Sequence, residues 1–359
     1  MRILHLGNPY FVQELRQLGH DVKWAAHDRA ADLPLRRPLE SVQELLSRIE
    51  PAWSPDFVLL GDDSTQPVVL KLESLPVPLV WYAIDSHLHA NWHQHYASVF
   101  DVIFVAQRDW ERLYRADPDR QTVMWQPLFC RSQDDYRLGL VRDLPLSFIG
   151  TLNQSWNPRR VELIQQIQAR YPIVIESGSY LTTFNRSMVV LNQSAAGDVN
   201  FRTFQAMACG ALLLSERVEN GFGALFQDGV HCALYDSGNV EQVIELTEHY
   251  RSHADERAAV AERGYQAVMA AHTSLHRAQA IVDAVVSGTI SVAVSKRAGR
   301  QLQIQWSLAS VYESSARKFL QAAQRMTEES KRRYFCGVAE QYQFLATTIR
   351  RQLAPLLAA

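Results

Sequence analysis

Short, continuous apolar runs alternate with amphipathic stretches through the first 107 residues. "RILHLG" (2–7), "VKWAAH" (22–27), "DFVLLGDD" (56–63), "PLVWYAID" (78–85) and "DVIFVAQ" (101–107) read as strands, and "YFVQELRQLGHD" (10–21) and "SVQELLSRIE" (41–50) have the spacing of helices. Strands apolar on both faces and separated by helices predict a parallel sheet covered on both sides. The pattern restarts with the strand "LPLSFIG" (144–150), a helix over 157–171 with Pro158 in its first turn, and strands "IVIESG" (173–178) and "SMVVLNQS" (187–194). A helix across "NFRTFQAMAC", strands "ALLLS" and "CALYD", and helices over 239–252 and 255–272 follow. Two Rossmann-like α/β domains joined near residues 138–146, with the working cleft between them, are the economical reading.

The last segment differs in kind. Leu302, Trp306, Ala309, Ala316, Phe319, Leu320, Ala323 and Met326, then Phe335, Val338, Tyr342, Leu345 and Ile349, fall near helical spacing, which predicts two long amphipathic helices in a hairpin. The expected domains are therefore 1–143, 144–287 and a basic helical extension, 288–359. Residues 286–359 hold eleven Lys or Arg against four Glu, a net +7, which leaves −9 for the first 285 residues of a chain whose total is −2. The apolar stripes could simply pack on each other and on the body. As helices surplus to a two-domain fold, they are expected first to bring copies together into a homo-oligomer, and second to lie on an anionic membrane.

Composition narrows the function classes. A 359-residue chain with 47% hydrophobic and 21% charged residues is a folded protein of about two domains. Its four cysteines form no C-x-x-C pair, which argues against a disulfide framework or zinc module and for a reducing cytoplasm. "MRILHLGNPYF" fits a first strand better than a signal peptide, and no segment approaches a membrane span. No G-x-G-x-x-G follows the first strand and no G-x-x-x-x-G-K-[ST] exists, which argues against a dehydrogenase and a P-loop kinase. Gly7 and Asn8 close the first strand in a turn on the ligand side.

The stretch "FRTFQAMACGALLLS" (201–215) concentrates the candidate chemistry. Asn200 or Thr203 is placed to cap a helix that must stop at Gly210, and Ala206, Ala208 and Cys209 let that helix lie close to a neighbouring backbone. Its N-terminus offers free N–H groups and partial positive charge to a diphosphate.

These residues also carry a resemblance. "GDVNFRTFQAMACGALLLSERVENGFGALFQDGVHCALYDSGNVEQVIEL", "HADERAAVAERGYQAV" and "HTSLHRAQAIV", with His272, Thr273 and Arg277, resemble the nucleotide-sugar-binding half of GT-B glycosyltransferases, specifically the spore-maturation CgeB-like group, over about residues 144–285. The N-terminal half is similar through its β/α order and "VPLVWYAIDSHLH…FDVIFVAQRDWERLY". The resemblance implies two Rossmann-like domains facing a cleft, the second holding a nucleotide-diphosphate sugar, with UDP the expected nucleotide, and the first an acceptor. It places Gly150 and Thr151 beside the donor phosphates, Arg159 or Arg160 as a following arginine, and Ser177, Gly178 and Ser179 near the nucleobase. Arg202, Thr203 and Phe204 match the phosphate-facing helix start, and Asn200 and Phe201, which open that helix, are donor-binding candidates with them. Gln205 stands where relatives place a glutamate that accepts both ribose hydroxyls, and an amide offers only one acceptor oxygen. A second glutamate of the retaining relatives is replaced by Gly197, with Asp198 beside it.

On the acceptor side, Asp85 ends a strand at the carboxyl edge of the first sheet, in "DSHLHANWHQH" with His87, His89, His93 and His95. An inverting transfer needs a base for the acceptor hydroxyl, and Asp85 or His87 can serve; the alternative is that Asp85 caps the next helix and the histidines line a polar surface. His89 and His93 share a helix face, but nothing completes a metal site, so no metal is expected. Asp62-Asp63 and Asp134-Asp135 are expected in turns.

The expected function is metal-independent sugar transfer, without a cofactor, from a nucleotide-diphosphate donor to a hydroxyl on a glycan, protein or lipid-linked acceptor. No nucleic-acid partner is expected, and the location is cytoplasmic or peripheral to the membrane. The alternative is a degenerate glycosyltransferase fold that binds nucleotide sugar or serves as a scaffold.

Overall fold

The computed structural model describes residues 1–62, 64–115, 117, 119, 121–287 and 290–357, with the backbone alone at 290–292 and 357. The chain forms two compact units: Met1–Ala106 with Trp110–Gln126 and Ala278–Ala359, and Gln107–Asp109 with Pro127–Arg277.

The first unit is built on a parallel sheet of β1 (Arg2–Gly7), β2 (Asp21–Ala26), β3 (Leu33–Pro34), β4 (Phe57–Gly61), β5 (Leu79–Ala83), β6 (Val102–Val105) and β7 (Thr122–Trp125), in the order β3-β2-β1-β4-β5-β6-β7. The order reverses at β1, which pairs with β2 on one side and β4 on the other. Such reversals leave a crevice at the strands' carboxyl ends. At this one, Gly7 and Gly61 are register partners, Gly7 has φ +75°, and a Cβ on Gly7 would collide with the Gly61 carbonyl. The expected helix over 10–21 is confined to Val12–Gln17.

The tail is not a separate domain, which corrects the expected boundary at 287. Two helices, Gln301–Gln324 and Glu329–Leu357, form the expected hairpin, and Ile304, Leu308, Val311, Tyr312, Val338 and Tyr342 are buried in one core with Leu79, Trp81 and Trp92. Polar pins join them to the sheet: Tyr342 donates to the Pro67 carbonyl (2.8 Å) and Ser315 bonds Gln66 (2.7 Å). In the preceding helix, Ile290–Ala298, the fully buried Arg297 pairs with the fully buried Asp101 and donates to the Val77 carbonyl (2.8 Å). The expected stripe is thus covered in part by the chain's own first unit, while Leu302, Trp306 and Leu320 stay exposed; burying about 25 cal/mol per Å² of apolar surface favours whatever face is tethered nearby.

The second unit carries a five-stranded parallel sheet of β8 (Leu144–Ile149), β9 (Val174–Glu176), β10 (Ser187–Asn192), β11 (Leu212–Glu216) and β12 (Ala233–Tyr235), in the order β9-β8-β10-β11-β12. Its order reverses at β8. His272 and Arg277 explain themselves here. The buried Arg277 donates to the carbonyls of Pro127 (2.7 Å), Leu128 (3.0 Å) and Ala271 (2.9 Å), so this part of the resemblance tethers the segment that enters the unit.

Candidate functional site

The carboxyl end of the second sheet is assembled around β8. After Ile149 the chain turns at Gly150, whose N–H bonds the Glu176 carbonyl (3.1 Å). Asn157 then starts the helix Pro158–Gln168, its side chain accepting from the Arg160 N–H (3.1 Å) with Pro158 in the first turn. A Cβ at Gly150 would displace Nη2 of Arg202 and crowd the Phe148 ring, so glycine lets the Arg202 guanidinium lie against this turn. Arg202, on the first turn of the helix Phe201–Ala208, donates from Nε to the Ile149 carbonyl (2.8 Å) and from Nη1 to Asn192 Oδ1 (2.8 Å), and its guanidinium stacks over Phe148 at 4.6 Å. Expected neighbours in sequence analysis, Gly150 and Arg202 are neighbours in space.

Arg160 takes the second cationic place. It donates to Gln193 Oε1 (2.9 Å), the Gln193 carbonyl (3.0 Å) and the Thr151 carbonyl (3.3 Å), so it clamps the ends of β8 and β10 together. Burial, then the charge of Arg160, push the Arg202 guanidinium down to about 9, while Asp198 and Tyr235 act the other way. Burial lowers Arg160 as well. The two cations raise the positive potential at these strand ends, offset in part by Asp198 and Glu216, and a positive potential favours an anion. Arg159 instead is exposed and reaches Ser237 and Glu216 (3.7 Å), away from Gly150.

The helix N-terminus is open in a different way from that expected. Asn200 has extended backbone at the cap position, but its side chain makes no capping bond, and its buried Oδ1 has no partner among the described residues. Thr203 does not cap either: it is fully buried, and its hydroxyl accepts from Asn192 Nδ2 (3.3 Å). Phe201 packs edge-on against Phe129 (5.3 Å). Of the helix start, Asn200, Arg202 and the first N–H groups are what remain for a ligand.

Gln205 differs most from its expected role. Its amide donates to the Tyr180 hydroxyl (2.8 Å), and Tyr180 donates to the buried Asp135 (2.6 Å). Asp135 therefore is no simple turn residue; burial raises its carboxyl, and burial followed by Asp135 raises the Tyr180 phenol. Only Oε1 of Gln205 is left to accept from a ribose hydroxyl. Asp198 accepts from Ser194 Oγ (2.8 Å) and the N–H of Ala195 (2.9 Å), closing its own loop beside Gly197. Ser177, Gly178 and Ser179 are exposed after β9, with Gly178 at φ +96°.

In the first unit, Asp85 occupies the position before the helix Ser86–Tyr96 without a side-chain capping bond, and its carboxylate accepts from Ser64 Oγ. His87 is half-buried, and its Nδ1 has no partner among the described residues. The four histidines do not form one polar surface. His93 is fully buried against Trp81 (4.7 Å), shares a hydrogen bond with Tyr114 (2.7 Å), and is held well below its ordinary range by burial. His89 is lowered to about 4 by burial, then by Lys318 of the hairpin. Asp62 serves a turn, accepting from the N–H groups of Ser64 (2.8 Å) and Ile84 (3.0 Å); Asp63 lies outside the described residues.

Sequence reasoning missed Asn157, Asn192, Gln193 and Tyr180. The pair Asn157-Pro158 was a legible helix start; the other three mark the site only through partners distant in sequence.

Comparison with known proteins agrees with this geometry. Residues 137–283 match the model of a family described as "Glycosyl transferase-like". No curated protein matches the chain in sequence. Among solved structures, a glycosyltransferase from Rickettsia africae has a TM-score of 0.58 at 9% identity, over 80% of this chain and 99% of its own. Anabaena Alr3699/HepE with UDP and glucose has a TM-score of 0.57 at 12% identity, over 80% and 100%. Sucrose-phosphate synthase from Thermosynechococcus elongatus has a TM-score of 0.55 at 10% identity, over 80% and 100%. The fold is the GT-B fold of these structures, and residues 137–283 are similar to the "Glycosyl transferase-like" family.

Proposed function

We propose that the protein transfers a sugar from a nucleotide-diphosphate donor, UDP-linked, to a hydroxyl acceptor, and that it is a member of the CgeB-like group. The observation that carries this is the meeting of Gly150, Arg202 and an uncapped helix N-terminus at the point where the second sheet reverses its order, inside the matched domain. The diphosphate lies against that helix start, Arg202 Nη2 and the N–H groups near Thr151, with Gln205 Oε1 toward the ribose and the loop at 177–179 toward the base. Arg202, Arg160 and the helix dipole supply the charge that a metal would otherwise supply to the leaving diphosphate.

Asp85 serves as the base, oriented by Ser64. The acceptor oxygen attacks the anomeric carbon, its proton passes to Asp85, and the bond to the diphosphate breaks, which inverts the configuration. His87 is the alternative base. Cytoplasmic placement follows from the donor; no helix among the described residues is long and apolar enough to cross a membrane. Titration calorimetry with UDP, GDP and TDP, followed by a donor-hydrolysis assay, tests the reading; UDP should bind tightest and its sugar should turn over.

A second reading has its own support. Gln205 and Asp198 both spend polar atoms on the protein itself, which suits a fold kept for binding. Nucleotide binding without turnover under a broad acceptor panel would favour it.

A further inference from the structure

A cavity of about 220 Å³ opens in the first unit where β1 and β2 end. It lies at the order reversal of that sheet, the place where open α/β sheets take ligands. Gly7 and Ala26 line its strand side and Val68 adds an apolar loop residue. The close approach of Gly7 to the Gly61 carbonyl, which forbids any side chain at Gly7, keeps that side clear.

The opposite side comes from the C-terminal hairpin: Phe319, Tyr334, Val338 and Tyr342. Phe319 and Tyr342 stack at 5.7 Å, and the Tyr342 hydroxyl is spent on the Pro67 carbonyl (2.8 Å), so that ring offers carbon to the cavity. Tyr334 is 52% exposed, an aromatic ring left at the opening. His27, the imidazole of the lining, already pairs with the Pro38 carbonyl (3.2 Å). A saccharide carries a hydroxyl on nearly every carbon and would leave most of them without partners here. A flat apolar ring would instead extend the Phe319–Tyr342 stack. Size agrees, since an apolar cavity of roughly 150 Å³ takes benzene.

The hairpin is also an addition to the common fold. The family match stops at residue 283, before the hairpin begins, and the similar solved structures cover 80% of this chain.

We propose that this cavity holds the acceptor, and that the acceptor is a phenol: one aromatic ring bearing the hydroxyl that receives the sugar. The phenolic oxygen forms the bond to the anomeric carbon, its proton passes to the base, and the nucleoside diphosphate leaves with the electron pair. This inference rests on the glycosyl-transfer reading for its chemistry, but the cavity's occupant can be tested without it.

Calorimetric titration of the full chain with 4-methylphenol, octan-1-ol and glucose, and separately with UDP, is the experiment. The phenol should bind at least fivefold more tightly than either competitor. Tyr334→Ala, at the exposed opening, and Ala26→Ile, which fills the strand side, should each weaken phenol binding at least fivefold and leave UDP affinity unchanged. Octanol binding as tightly as the phenol would make this an alkyl-chain site, and glucose binding as tightly a saccharide site; either overturns the proposal, as does phenol affinity unchanged in both variants. Phenol binding that follows the expected pattern in a protein that binds no UDP would sustain the cavity's assignment and sink the glycosyltransferase reading instead.

Discussion

The two sheets reverse their strand order in the same manner, yet the two points of reversal are chemically opposite. In the second unit the strand ends meet Arg202, Arg160 and an open helix start, all polar. In the first unit the corresponding strand ends meet paired polar groups and the rings of Phe319, Tyr334 and Tyr342. The same backbone topology therefore sets where a ligand goes, and the side chains arriving from elsewhere set what it is. One place suits a diphosphate, the other an apolar ring.

The largest expected effect comes from removing what fills the first place. Deleting residues 298–359 should unfold the first unit outright, because Leu308, Val311, Tyr312 and Tyr342 leave its core. Each such side chain is worth about 1.5–3 kcal/mol, against about 5–15 kcal/mol for a whole domain. Loss of a cooperative thermal transition by circular dichroism checks this; a truncated chain that melts normally would show the hairpin to be dispensable.

Next in size is Asp85→Asn, which should lower turnover by about 10²- to 10⁴-fold while UDP affinity stays within twofold, since the base and the anion site belong to different units. Steady-state kinetics beside calorimetry separates the two, and normal turnover would remove Asp85 from the chemistry.

Arg297→Met should cost about 3–5 kcal/mol by stranding the buried Asp101 carboxylate, and adding Asp101→Asn should restore part of the loss. Urea denaturation measures it. In the second unit Arg202→Ala should weaken UDP binding roughly 10- to 100-fold, the range of one charge-assisted hydrogen bond, whereas Arg159→Ala, aimed elsewhere, should change it less than twofold. Equal effects from the two arginines would erase the distinction drawn between them.

The smallest effect is a difference in acid sensitivity. Burial lowers His5 to about 3, His89 to about 4 and His93 well below its ordinary range in the first unit, and His272 to about 4 in the second. Below pH 6.5 the unfolded chain binds protons that these folded imidazoles refuse, so stability is full above that pH and falls as pH drops toward the folded values. His5 alone contributes about 1.4 kcal/mol per pH unit in that window. The raised carboxyls of Glu73 and Asp135 act in the opposite sense near the lower end. Thermal melts from pH 7 to 4.5 should show the transition of the first unit falling more steeply; equal slopes would deny that its histidines are neutral in the fold.

The nearness of Gly150 to Arg202 was legible in the sequence. Gly150 and Arg202 were tied together by resemblance, and the structure supplies the reason, a guanidinium seated where a Cβ would be. The choice between Arg159 and Arg160 was not legible, because adjacent helix residues point about 100° apart and only the packed position of that helix aims one at Gln193. Thr203 looked like a cap and turned inward to Asn192; the amide nitrogen of Gln205 engages Tyr180, which leaves Oε1 for the ribose contact proposed above. A polar side chain takes the nearest partner that the fold provides.

Local periodicity by itself determined the strands other than the two edges β3 and β7, and the two helices of the tail, because a strand or helix declares its buried face within a few residues. Only the tertiary structure decided that the tail belongs to the first unit and forms one wall of a cavity there. Arg297 and Asp101 stand 196 residues apart, and nothing near either of them in sequence names the other. Their pairing, like the bond of Tyr342 to the Pro67 carbonyl, is set by which surfaces bury each other when the whole unit closes, a property of the packed chain and not of any segment of it.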